Sequence, residues 1–167
     1  MKTLKKRRRK NMTDYKKRIG LLKGNRPRIV FRKTNRYLIA QYTTSIETKD
    51  RVEIGVNSIA LMNYGWPKEF KNSLKSMPAA YLLGFIMGKK IINEKKQVPI
   101  ADFGMTRVLH KSKVFAFIKG LIDSGVGIGT GEKKDAFPSE ERIMGKNLKK
   151  DFSERFKEIK SKISKKQ

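Results

Sequence analysis

The chain has no cysteine, one histidine, one tryptophan and five prolines, and its 15 acids face 41 lysines and arginines. Each scarcity excludes something. Without cysteine there is no disulfide, no thiolate zinc site and no Cys–His catalytic pair, and an intracellular location is the natural expectation. One histidine, His110, cannot make a His-rich metal set, and a serine triad would have to recruit it from a basic, exposed segment. Long apolar runs are also missing. The longest apolar-rich stretch, Met77–Gly88, is well short of the roughly 20 residues that span a bilayer. Met1–Lys10 is basic, but no apolar stretch follows it, so neither a secretory signal nor a membrane partner is expected.

What the chain does have is positive charge. The formal net charge is +26 over 167 residues, with 34% charged and 38% hydrophobic residues. That leaves room for one modest core with solvated or partner-bound ends. The charge is uneven: residues 1–36 hold 16 basic side chains and one acid, residues 37–125 hold 13 and 7, and residues 126–167 hold 12 and 7. Self-repulsion of this size opposes compaction unless a polyanion neutralises it, and nucleic acid is the expected partner.

Along the chain, three parts are expected: a basic arm over 1–25, an α/β core over 26–125 and an extension over 126–167. The arm runs through Lys5, Lys6, Arg7, Arg8, Arg9 and Lys10 to Tyr15, Lys16, Lys17 and Arg18. Its few aliphatics cannot make a core, so it should order only against a partner. Next, Arg28–Lys33 and Tyr37–Gln41 read as antiparallel strands around a basic turn, Arg32-Lys33-Thr34-Asn35-Arg36, where asparagine tolerates left-handed dihedrals. Arg51–Asn57 alternates apolar residues at 52, 54 and 56 and reads as a third strand. Ser58–Lys75 reads as a loop with helical turns, in which Trp66 plugs the sheet edge.

A helix is expected from Ser76, with Pro78 in its first turn, where a missing N–H costs nothing. Ala80, Gly84 and Gly88 share one of its faces, which suits close packing on the sheet. Val98–Gly104 reads as a short buried strand, laid parallel to the first by a right-handed crossover. An amphipathic helix over Lys113–Ser124 follows and ends at Gly125. Lys111 and Lys113 oppose the dipole at its start, a conflict removed if a phosphate sits there with Lys111, Ser112 and Lys113 around it. The alternating glycines of Gly125–Gly131 lack the Lys-Ser/Thr of a phosphate cradle and read as a connector. Phe152, Phe156, Ile159 and Ile163 recur at helical spacing and need a surface to pack on.

The meander followed by helix, strand and helix is the order of ribonuclease-H-like folds, and a metal nuclease of that kind is one reading. Asp102 could supply a carboxylate, but the first strand and first helix carry none, and Arg32 and Lys33 would repel a cation. Asp102 and Asp123 read instead as helix–strand fasteners or as partners for basic neighbours. A protein that compacts nucleic acid by charge alone is another reading. Specific RNA recognition is the third, since Thr34, Asn35, Tyr15, Tyr37 and Gln41 place polar and planar groups beside the cations. With roughly 8 phosphate contacts, affinity would fall by orders of magnitude from low to moderate salt.

Five pieces in register carry a resemblance: Thr13–Arg18, Arg26–Asn35, Ala79–Gly84, Val114–Gly125 and Pro138–Gly145. Together they resemble the large-subunit ribosomal protein L-eighteen family, the 5S rRNA binders, in its archaeal form, over roughly Thr13 to Leu148. The resemblance implies a ribonuclease-H-like mixed sheet without catalysis, metal or cofactor. It implies a cytoplasmic, ribosomal place in the central protuberance, contacting 5S rRNA, the large-subunit rRNA and ribosomal protein L-five, and no homo-oligomer. In the family, RNA contacts concentrate in the basic arm and an Arg-Lys-Ser-Asn turn, here Arg32-Lys33-Thr34-Asn35. The expected contact set is therefore Lys5 to Lys10, Thr13, Tyr15 to Arg18, Arg26, Arg28, Arg32 to Arg36, and Lys111 to Lys113.

Overall fold

Strand alternation up to Asn57 and helical spacing after Ser76 fold into two layers. The computed structural model describes residues 3, 5–10, 13–46, 49–129, 134–148 and 151–165. Two short arm helices, α1 (Lys6–Arg9) and α2 (Tyr15–Lys23), lead into strands β1 (Arg28–Lys33), β2 (Leu38–Ile46) and β3 (Lys49–Asn57). Two 3₁₀ turns precede helix α3 (Met77–Asn93), strand β4 (Ile100–Asp102) and helix α4 (Lys113–Asp123). A short α5 (Glu140–Met144) and a longer α6 (Ser153–Lys165) close the described chain.

The sheet order is β3-β2-β1-β4, with the first three strands antiparallel and β4 parallel to β1. β2 extends beyond its expected end, and a register shift at Tyr42/Thr43 sets Ile54 opposite Tyr42 but Val52 opposite Thr43. The two-residue period of a strand then sorts the side chains. Ile29, Phe31, Leu38, Ala40, Tyr42, Ile54 and Val56 are buried under the helices, and Phe31 stacks on Phe117 of α4 at 4.6 Å between ring centroids. Burying each of the larger aliphatic and phenylalanine side chains among them contributes about 1.5–3 kcal/mol. Arg28, Val30 and Arg32 turn to the opposite face.

α3 and α4 run parallel and touch through backbone. A Cβ on Gly84 would lie 2.1 Å from the Phe117 carbonyl oxygen, and one on Gly120 would lie 2.1 Å from that of Tyr81. The Ala80/Gly84/Gly88 stripe therefore serves helix–helix contact, not sheet packing as its spacing led us to expect. The sheet, being a wide surface, accepts large side chains, whereas two helix backbones approach only where a Cβ is missing. Tyr81 and Asp123 fasten the pair: the phenol donates to Asp123 Oδ2 at 2.6 Å and accepts from Lys160 Nζ of α6 at 2.7 Å. Burial, followed by the Asp123 carboxylate, raises the Tyr81 phenol far above its usual range.

The C-terminal residues complete the core. Phe156, Ile159 and Ile163 form the buried face of α6, and Phe152 is fully buried just before it. Trp66 is buried against Phe152, 4.6 Å between ring centroids, and its indole N–H donates to the Phe70 carbonyl. Its ring partner is thus the extension, where a plug over the sheet edge was expected. Val126 and Ile128 are buried between exposed glycines, so Gly125–Gly129 is a strap anchored at alternate positions; the remainder of that glycine stretch lies outside the described residues. In the arm the described residues form α1 and α2, and α2 lies against the sheet. Asp14 caps α2 by accepting from the Lys17 N–H at 3.1 Å, and Arg18 reaches Asp50 at 3.2 Å.

Candidate nucleic-acid interface

The turn after β1 divides its cations between the two faces of the sheet. Arg32 goes to the open face, where its Nη1 donates to the carbonyls of Phe31 and Asp102 at 3.1 and 3.2 Å. Lys33 goes to the helical face and lines the same cavity as Lys113. Thr34 shapes the turn itself: its hydroxyl donates to the Tyr37 carbonyl at 2.6 Å and accepts from the Tyr37 N–H at 3.0 Å. Asn35 and Arg36 project into solvent.

On the open face, α2 covers a groove of about 340 Å³ whose rim carries Arg7, Lys17, Arg18 and Arg32. Its floor is a charge network. Arg28, only 4% exposed, donates to Asp102 at 3.2 Å, to Asp50 at 2.7 Å and to Ser45 at 2.8 Å. Burial works to raise the Asp50 pKa, but the Ser45 hydroxyl and the Arg28 and Arg18 guanidinium groups outweigh it and hold the carboxyl below its usual range. Asp102 also accepts the Gly104 N–H at 2.8 Å. Arg28 thus leaves the expected contact set, because the strand period places it beside two carboxylates and beneath the arm. Arg7 is held to Thr13 (Nε to Oγ1, 2.9 Å), and Lys5 lies 4.7 Å over the Tyr15 ring. Lys6, Arg8, Arg9, Lys10, Lys16 and Lys17 are exposed along the arm, as is Arg26 at its junction with β1.

The other cationic region is the end of the molecule where α3 and α4 begin. Because the two helices are parallel and both return from the end of the sheet that carries the turn, their N-termini sit together beside Lys33. Lys75, just before α3, donates to the Asn35 carbonyl at 2.9 Å. Burial, then Lys33 and Lys75, lower the Lys113 pKa. A cavity of about 400 Å³ opens here between Lys33, Lys111, Ser112, Lys113 and Arg142 of α5. Lys111 has φ +56°, and its N–H donates to the Ala136 carbonyl at 2.7 Å, tying the loop before α4 to the extension. The turn and the Lys111–Lys113 segment, expected separately, are therefore neighbours.

Lys75, Ser76 and Arg142 join this region without having been anticipated. A signal for two of them was present: Lys75-Ser76 and Lys111-Ser112 are the same dipeptide, each ending at a helix N-cap. Among the described residues no group of three or more His, Asp or Glu side chains could hold a metal ion, and no helix is long and apolar enough to cross a membrane.

Fold and surface together define a strongly basic α/β protein with a mixed four-stranded sheet, an arm of exposed cations, and a cluster of lysines at the end where α3 and α4 begin. A family model described as "Ribosomal large subunit proteins 60S L5, and 50S L18" matches residues 1–100. The chain is similar to the large ribosomal subunit protein uL18 of Korarchaeum cryptofilum (strain OPF8), 36% identical over 152 residues, 91% of this chain and 74% of that protein. It is likewise 36% identical over 142 residues to the large ribosomal subunit protein uL18 of Methanoregula boonei (strain DSM 21154 / JCM 14090 / 6A8), 85% of this chain and 78% of that protein. The chain belongs to the uL18 family of large-subunit ribosomal proteins, in its archaeal type.

Proposed function

We propose that this protein is a non-enzymatic structural component of the large ribosomal subunit. It binds 5S rRNA and attaches it to the large-subunit rRNA in the central protuberance, beside ribosomal protein L-five. It acts as a single copy on the cytoplasmic ribosome. The observation that carries this reading is the gathering of Lys33, Asn35, Arg36, Lys75, Lys111 and Lys113 at one end of a rigid two-layer core. Such an end offers phosphate contacts together with the polar groups that splayed RNA bases accept. The arm, with Lys6, Arg8, Lys10, Lys16 and Lys17 exposed, supplies the longer-range attraction to a polyanion.

The sheet order and the two helices fit a ribonuclease-H-like core, and on that reading β1 and β4 flank the position of a metal centre. Here Arg28 and Asp102 fill it with a buried ion pair, 3.2 Å apart. An arginine bonded to both nearby carboxylates, Asp102 and Asp50, opposes divalent metal binding, which supports a role without catalysis. We read the three parts of the chain as an arm that engages RNA, the α/β core, and an extension that braces the helical layer.

Competition tests the reading. At moderate salt the protein should prefer 5S rRNA over an unrelated RNA of equal length; equal binding would leave only charge-driven compaction. Replacing Lys33, Asn35 and Arg36 together by alanine should weaken 5S rRNA binding with the circular dichroism spectrum unchanged. Arg32 and Thr34 are left out of that variant because both bond within the fold. A collapsed spectrum would make the turn structural and remove it from the interface.

A further inference from the structure

The N-termini of α3 and α4 share an oddity. Ser76 and Ser112 occupy their N-cap positions with extended backbones, yet neither side chain caps its helix. Their hydroxyl oxygens are buried and are, among the described residues, the two buried side-chain polar atoms without a hydrogen-bond partner. Serine at an N-cap normally accepts from the N2 or N3 amide. Here the first helical bonds run from Ala80 N–H to Ser76 O and from Ala116 N–H to Ser112 O. The amides of Met77 and Ala79, and those of Lys113, Val114 and Phe115, therefore precede the ladder and need an acceptor from outside it.

Charge points the same way. Two helices of 17 and 11 residues present the positive ends of their dipoles side by side. Lys33, Lys75 and Lys113 add three cations, and beyond the effect of burial the first two lower the Lys113 pKa further. Among the described residues no carboxylate lies within ion-pair distance of any of the three. Ser112 and Lys113 also line the open cavity with Lys33 and Arg142. Three lysines, two helix N-termini and two idle hydroxyls meeting without an anion make a poor arrangement for an isolated protein.

Building on the rRNA-binding reading, we infer that the paired N-termini of α3 and α4 form a seat for one phosphodiester of an RNA backbone, with Lys33, Lys75 and Lys113 as its cationic wall. The phosphate oxygens accept from the free amides of the α4 first turn. Rotation about χ1 brings the Ser112 hydroxyl onto the same anion across the cavity it lines. The seat is sequence-neutral and fixes register, as phosphate contacts do. Occupancy satisfies the idle donors and offsets the mutual repulsion of the lysines.

The test uses the full-length isotopically labelled protein, titrated separately with inorganic phosphate and the dinucleotide ApA and followed by amide NMR. Saturable shifts at Met77, Ala79 and Lys113 to Phe115 with both probes are expected. Shifts confined to the arm, or binding of inorganic phosphate alone, would overturn the seat. Two variants sharpen the result. Lys113→Gln should weaken ApA about tenfold or more, as removal of one charge-assisted hydrogen bond does. Ser112→Asp brings its own carboxylate to the α4 N-terminus and should abolish the shifts there while raising the melting temperature. Undiminished ApA binding to Ser112→Asp would refute the seat. The RNA reading stands or falls separately: if the 5S preference fails while these amides still respond, the seat survives it, and if the preference holds while they stay silent, the seat is lost.

Discussion

The two cationic regions carry similar numbers of basic residues and treat them in opposite ways. On the open face of the sheet the key cations are matched: Arg28 to Asp102 and Asp50, Arg18 to Asp50, and Arg32 to two backbone carbonyls. At the helix N-termini, Lys33 and Lys113 have no carboxylate among the described residues, and Lys75 has only a carbonyl. Charge that is internally paired holds a structure together. Unpaired charge held rigid by a packed core is a surface waiting for an anion. Net charge does not separate the two; the position of the few acids does.

Breaking the matched region should have the largest effect. Asp102→Ala leaves Arg28 buried with one carboxylate fewer and should cost about 3–5 kcal/mol, read as a lowered urea midpoint. A loss under about 1 kcal/mol would show that the network is solvated and the contrast overstated. The unmatched region should answer in reverse. Lys33→Gln with Lys75→Gln should leave stability unchanged or improved by about a few tenths of a kcal/mol. The slope of log affinity for 5S rRNA against log salt should meanwhile become shallower by about 0.7 for each phosphate that the variant no longer neutralises. A destabilised double variant would show that these lysines are structural after all.

The smallest effect concerns pH. The folded state lowers the Asp50 pKa, so its contribution is present above the unfolded value, about 3.9, and is lost as pH falls through the folded value. Asp50→Asn should thus lower stability at neutral pH and flatten its decline on acidification, measured by urea midpoints between pH 7 and 2. A parallel offset at every pH would assign Asp50 a packing role alone.

Much of the architecture was legible because it rests on local pattern. Alternation at Val52, Ile54 and Val56 marked β3, Pro78 and the following apolar run marked α3, and the short segment Val98–Gly104 marked the parallel strand, which is realised over Ile100–Asp102. What escaped depends on partners distant in the chain. Arg28 looks like any other cation of the basic stretch until Asp102, 74 residues later, is set beside it. Trp66 finds Phe152, and Gly84 finds Phe117, only once the helices are stacked. The same holds for the candidate site. Lys111 and Lys113, on either side of Ser112, stood out by opposing the helix dipole, whereas Lys75 and Ser76 matter through a parallel pairing that no local window contains. Nor does the run of arm cations reveal which ones, such as Arg7 and Arg18, are engaged by the protein itself.

The parallel pairing of β1 with β4 has a consequence in time. During synthesis β1 can pair with β2 almost at once, but its other edge stays unpaired until residues 100–102 emerge, about 4–15 s later at ordinary elongation rates. Through that interval Ile29 and Phe31 sit on an open strand edge, the usual template for misassembly. Arg28, Arg32 and Lys33 interrupt that edge with charge, so they guard the nascent chain before any of them takes up its final partner. Ribosome-bound chains stalled short of residue 100 should show rapid hydrogen exchange at β1 and, if Arg28 and Arg32 are made neutral, should aggregate on release.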